Sequence, residues 1–85
     1  MWHLYLIRCN DGSLYTGITT DVQRRLTDHQ NSRGARRLRG RGPLELVFSQ
    51  QVGDRSLAQQ VEWQIKRWSK TEKERLVRGE TTLPT

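Results

Sequence analysis

Two tyrosines, Tyr5 in HLY and Tyr15 in LYTG, stand early in this 85-residue chain. Arg25 and His29 follow, four residues apart, and Glu62 lies inside the apolar helical pattern of QQVEWQIKRW. A phenol, a guanidinium, an imidazole and a carboxylate are groups that a phosphodiester-cutting site could use. Breaking a phosphodiester needs a nucleophile made reactive, positive charge where phosphoryl oxygens gain negative charge, and commonly a metal ion held by carboxylate. Most of the nine acidic residues fall in turns, helix starts or solvated faces, and Glu62 is the exception. One carboxylate points to one metal ion, because Mg²⁺ keeps several waters and needs only one or two protein carboxylates.

Each of these residues also has a plainer reading. Glu62 can pair with Lys66 one turn on, a contact worth roughly 0.3–0.5 kcal/mol. The tyrosines can be ordinary strand formers, Arg25 a surface arginine, and His29 a cation at a helix end. Types and spacing alone give a basic α+β domain with a bias toward nucleic acid.

The elements that must position these side chains are legible. WHLYLIRC and SLYTGIT read as two strands joined at Asn10-Asp11-Gly12, whose Asp-Gly pair suits the positive φ angles of a hairpin turn. Tyr5 and Tyr15 then face the same side of the sheet. Thr20 with Gln23 resembles a capping box, which predicts a helix from about Asp21 to Gln30 with Val22, Leu26 and His29 on one face and Arg25 at its edge. LELVFSQQV predicts a third strand, with Leu44, Leu46 and Phe48 on its buried side.

A second capping box, Ser56 with Gln59, opens a long helix whose stripe is Leu57, Val61, Ile65 and Trp68. Ser69 with Glu72 opens a third helix, closed by Gly79. The order ββαβαα predicts an α+β fold with a small three-stranded antiparallel sheet flanked by helices. The length predicts one domain, residues 1–85, with its core over about 2–78 and a frayed tail over 79–85. Trp2, Trp63 and Trp68 read as core or sheet-covering residues.

Charge narrows the partner. There are 15 Lys and Arg against 9 Asp and Glu, a net +6, and most of the positive charge is arginine, whose planar fork matches phosphate oxygens. Arg33, Arg36, Arg37, Arg39 and Arg41 crowd one glycine-rich stretch without period, a loop suited to sequence-independent contact with a phosphate backbone. One cysteine, Cys9, cannot form an internal disulfide, and no run is long and apolar enough to span a membrane, so a cytoplasmic location is expected.

HLY at 3–5, YTG at 15–17, then Arg25, His29 and the EWQIK segment beginning at Glu62 form an ordered set that resembles the GIY-YIG nuclease family. The likeness covers about residues 2–78 and is strongest to small stand-alone bacterial members, and it extends to the catalytic domain of nucleases that cut branched DNA. His3 and Leu4 replace Gly-Ile of the name-giving motif and Thr16 replaces Ile, while Tyr5, Tyr15 and Gly17 are retained. An aromatic residue that related sequences carry near Arg37 is absent.

The resemblance implies a metal-dependent endonuclease acting on DNA, at branches, flaps or single-stranded junctions, in repair or recombination. It implies Glu62 as metal ligand, with Mg²⁺ as cofactor and Mn²⁺ able to substitute. Arg25 would steady the scissile phosphate, Tyr5 would activate water with Tyr15 as its hydrogen-bond partner or the reverse, His29 would hydrogen-bond within the site, and Gly17 would let backbone or substrate approach closely where the strand ends. Positive charge from the metal and Arg25 is expected to lower the pKa of the reacting tyrosine. A protein partner or a homodimer would supply substrate selection. The contrasting reading is a nucleic-acid-binding module that keeps the fold and does not cut.

Overall fold

The structure is a computed structural model that describes residues 1–31, 38 and 40–84. Three strands, β1 (Trp2–Arg8), β2 (Leu14–Thr19) and β3 (Glu45–Gly53), form one antiparallel sheet in the order β2-β1-β3. Helix α1 (Val22–Gln30) follows β2, and α2 (Arg55–Lys66) and α3 (Lys70–Val77) follow β3. The expected α+β fold and its ββαβαα order are both present.

The hairpin joining β1 to β2 closes through Cys9 N–H donating to Ser13 O at 2.9 Å, with Gly12 at φ +84°. The Asp11 carboxylate accepts from the Ser13 backbone N–H at 3.0 Å, which satisfies the turn locally. From this turn the register runs Ile7 opposite Tyr15 and Tyr5 opposite Gly17. Side chains alternate across a strand, so that register puts both tyrosines on one face.

The sheet is covered on both sides because both faces of β1 are apolar. Leu4 and Leu6 pack with Val61, Ile65, Leu76 and Leu83, the side held by α2 and α3. Tyr5, Ile7 and Cys9 pack with Leu38 and Leu44, with Tyr15, Leu26 and Leu46 against them. Arg8 clamps the first of these layers, its guanidinium donating to both Glu74 oxygens at 2.7 Å and tying β1 to α3. That bidentate pair was not anticipated, since 66 residues separate the partners.

Several expectations are corrected. The caps of α1 and α2 are Asp21 and Asp54, whose carboxylates accept from Arg24 N–H and Leu57 N–H, so Thr20 and Ser56 are not the capping residues. An ionised carboxylate is the stronger acceptor for the exposed amides of a helix start. The Ser69–Glu72 capping box of α3 is present as expected. In β3, Leu46 and Phe48 lie on opposite faces: Leu6 pairs with Phe48 and Ile7 with Leu46, so Val47 is the extra residue of a bulge. Leu57 is exposed, and Ala58 takes its place beside Val61 and Ile65 in the buried stripe of α2. The tail is not frayed throughout, because Leu83 is 5% exposed and belongs to the core.

Candidate active site

Strand parity and one helix face bring five of the six expected residues together, Tyr5, Tyr15 and Gly17 from the strands and Arg25 and His29 from α1. Tyr5, 2% exposed, points from the central strand toward α1, where its Oη lies 2.9 Å from His29 Nε2. His29 is buried at the last turn of α1, and the half-buried Tyr15 meets its ring edge-on with centroids 5.5 Å apart. Tyr5 and Tyr15 are 6.3 Å apart by ring centroid, so the hydrogen-bond partner of Tyr5 is His29 and not Tyr15. Arg25, half-buried one turn before His29, brings its guanidinium beside the Tyr5 phenol.

Gly17 has a definite structural task. It sits opposite Tyr5 in the ladder, and the Tyr5 ring lies directly over it. A Cβ at position 17 would overlap Tyr5 Oη, Cζ and Cε2. The close approach expected at Gly17 is therefore that of the tyrosine. Gly17→Ala should push the ring off its histidine, costing about 1–3 kcal/mol of stability as an overpacked core site does. Thermal denaturation of the variant measures this, and an unchanged melting temperature would contradict the packing described.

Glu62 lies at the flank of the buried stripe of α2, with its side chain 22% exposed. Its carboxylate pairs with Lys66 Nζ at 3.3 Å, the plainer contact that the sequence offered, and its charge also reaches the Tyr5 phenol. Among the described residues no three His, Cys, Asp or Glu side chains gather as a ligand cluster. A lone, partly exposed carboxylate fits a hard cation that keeps most of its waters. The exposed Lys66 contact is a weak competitor.

Burial governs the titration of the site. Tyr5 is pushed up to about 12, chiefly by desolvation and next by Tyr15, while Arg25 opposes the rise and Glu62 adds to it. Arg25 by itself does not produce the expected lowering, because the phenol is inside the sheet layer and desolvation outweighs that one guanidinium. His29 moves down from its ordinary value, first through burial and then through the nearby Arg25 charge, which leaves a neutral imidazole at pH 7.

The loop arginines divide. Arg41 is placed at the β1–β2 turn, where its guanidinium donates to Asp11 at 2.9 Å. Arg33, Arg36, Arg37 and Arg39 lie outside the described residues. Trp63 departs from its expected core role, since it is 60% exposed on the outer side of α2. The helical wheel carried that signal: position 63 is two residues, about 200°, from the buried Val61.

The GIY-YIG catalytic domain profile matches residues 1–75. The chain belongs to the GIY-YIG family. Among its relatives, the UPF0213 protein of Citrobacter koseri is 62% identical over 76 residues, covering 89% of this chain and 76% of that protein. The UPF0213 protein YhbQ of Salmonella typhimurium is 60% identical over the same shares. A solution NMR structure of a UPF0213 protein from Bacillus halodurans superimposes with a TM-score of 0.58 at 42% identity, over 92% of this chain and 84% of that one. A second NMR structure, from E. faecalis, gives 0.63 at 34% identity, over 91% and 82%. A GIY-YIG domain is of nuclease type, and nucleic acid is its substrate class. No helix among the described residues is long and apolar enough to cross a membrane.

Proposed function

We propose that the chain is a divalent-metal-dependent endonuclease that hydrolyses DNA phosphodiester bonds with Tyr5 and His29 acting as one proton-accepting unit. The observation that carries this reading is the 2.9 Å contact between Tyr5 Oη and the Nε2 of a buried histidine. A phenol with a pKa near 12 is rarely ionised at pH 7, so Tyr5 alone would be a poor base. Joined to a neutral imidazole it need not be ionised beforehand. As water gives a proton to Tyr5 Oη, the phenolic proton passes to His29 Nε2, the water oxygen forms its bond to phosphorus, and the ester oxygen leaves with the electron pair of the broken P–O bond and takes a proton from solvent.

Arg25 holds a non-bridging oxygen of the phosphate, where charge grows in the transition state. Tyr15 keeps the His29 ring oriented by packing against it. Glu62 would hold the cation, which when bound supplies positive charge to the reacting oxygens. The cellular setting that suits such an enzyme is DNA repair or recombination, at flaps, branches or single-stranded junctions. The site and its roles are taken to lie within one domain spanning the chain.

A binding module that does not cut is the second reading, favoured by the raised Tyr5 pKa and by the Glu62–Lys66 pair. Incubating the protein with labelled linear, flap and four-way DNA in Mg²⁺, Mn²⁺ or EDTA separates the two. The nuclease reading predicts metal-dependent cuts. It is contradicted by binding that weakens steeply with salt but yields no product under any metal.

The pH profile adds a signed expectation. His29 must be neutral to accept the proton, so the rate holds through the ordinary histidine range and falls only as the pH drops through the lowered folded value. Folding stability erodes in the same direction, because the unfolded chain takes up that proton more readily. Circular dichroism at each pH therefore accompanies the rate measurement. A rate that rises as pH falls from 7 to 5, with folding intact, would remove His29 from the role.

A further inference from the structure

We infer that Trp63 and Arg67, on the outer face of α2, form a stacking subsite for an unpaired nucleobase of the strand whose phosphate is held near Glu62. This rests on the nuclease reading and extends it to a contact outside the reacting centre. Trp63 is 60% exposed and faces away from Val61 and Ile65, so it does not serve the core. Arg67, one turn later, places its guanidinium 4.7 Å from the indole centroid. The guanidinium lies over one face of the indole, which leaves the opposite face for a stacked base and keeps a fixed positive charge within reach of its phosphate.

The surroundings select the occupant. A shallow hollow of about 440 Å³ runs beside the indole, lined by Ser56, Gln59, Gln60 and Gln64. These are uncharged donors and acceptors that can meet base edges, and among the described residues no carboxylate lines the hollow to repel a polyanion. One exposed indole among glutamines is too small an apolar area for a protein interface, which needs a sizeable buried core. It is sufficient for one stacked base. The net charge of +6 favours the same partner.

Position follows from the helix. Glu62 and Trp63 are consecutive, their Cα atoms about 3.8 Å apart, and their side chains diverge by about 100° around the axis. A strand passing Glu62 and leaving along the exposed side of α2 therefore meets the indole next. Bases inside a duplex have both faces covered by their neighbours, so the subsite takes only an unpaired or extruded nucleotide. The substrate class it implies is DNA with single-stranded character beside the cut.

The test uses the full chain with labelled single-stranded oligothymidylate and a blunt duplex of equal length, in EDTA to prevent cutting. Parent, Trp63→Ala, Trp63→Phe and Arg67→Ala are compared by affinity, tryptophan quenching and sedimentation, and each is then assayed for cleavage of a flap substrate in Mg²⁺. Trp63→Ala should weaken single-strand binding by about 5- to 100-fold, abolish most strand-induced quenching, and leave duplex affinity within about twofold. Trp63→Phe should restore most of the loss. If Trp63→Ala binds single strands as the parent does while both cut, the subsite is wrong and the nuclease reading stands. Loss of a dimer in Trp63→Ala with nucleic-acid affinity unchanged would assign the surface to a second copy and overturn the subsite. A parent that neither binds nor cuts would overturn both.

Discussion

Tyr5→Phe is expected to lower the single-turnover cleavage rate by about 10²–10⁴-fold, the range that a positioned proton-transfer group contributes. The substitution keeps the ring that packs over Gly17 and removes only the Oη that meets His29. His29 Nε2 loses that partner inside the core, so a stability loss of about 1–3 kcal/mol accompanies the change. Nucleic-acid affinity should hold, because Arg25 and the basic surface are untouched. Tyr15→Phe provides the contrast. Tyr15 packs against His29 ring to ring, with centroids 5.5 Å apart, so its hydroxyl is expected to matter far less. Equal losses in the two variants would show that the proton does not leave by the Tyr5–His29 contact.

Glu62→Ala is expected to reduce metal-dependent cleavage by about 10³-fold or more, since Lewis-acid stabilisation of several kcal/mol depends on one carboxylate. Stability should barely move. The lost Lys66 contact is a partly exposed pair between neighbouring turns, worth a few tenths of a kcal/mol. A large activity loss with folding and DNA binding retained is the signature of a metal ligand. A drop in melting temperature that matched the activity loss would instead mark Glu62 as a structural residue. Lys66→Ala bears on the same point, because freeing the carboxylate of its competitor should leave metal affinity equal or stronger.

The site was partly legible before the fold was seen because strand parity is rigid. Once Asp11-Gly12 fixed the hairpin, Tyr5 and Tyr15 had to share a face, and the spacing of Leu26 and His29 turned the same side of α1 toward them. Distances within that cluster were beyond the sequence. Tyr5 could have met Tyr15, and the choice of His29 depends on how α1 lies across the sheet. The weight of burial on the Tyr5 titration is not legible in the sequence, because charge can be counted along a chain whereas desolvation depends on what covers the phenol.

Elsewhere the misses were local competitions. Thr20 and Asp21 both suit a helix start, as do Asp54 and Ser56, and in each case the carboxylate became the cap. The bulge at Val47 left no mark in the alternating pattern of β3, so Phe48 was assigned to the wrong face. For Trp63 residue type suggests the core, whereas its position on the wheel points outward, and the structure follows the wheel.

The most direct measurement is single-turnover cleavage of end-labelled flap DNA in Mg²⁺ by the parent, Tyr5→Phe and Glu62→Ala, with DNA affinity and circular dichroism recorded for each. Metal-dependent product from the parent, and its near-complete loss in both variants that still fold and bind, is the result predicted here. A folded parent that binds this DNA and releases no product, or variants that cut at the parent's rate, would contradict the nuclease mechanism built on Tyr5, His29 and Glu62.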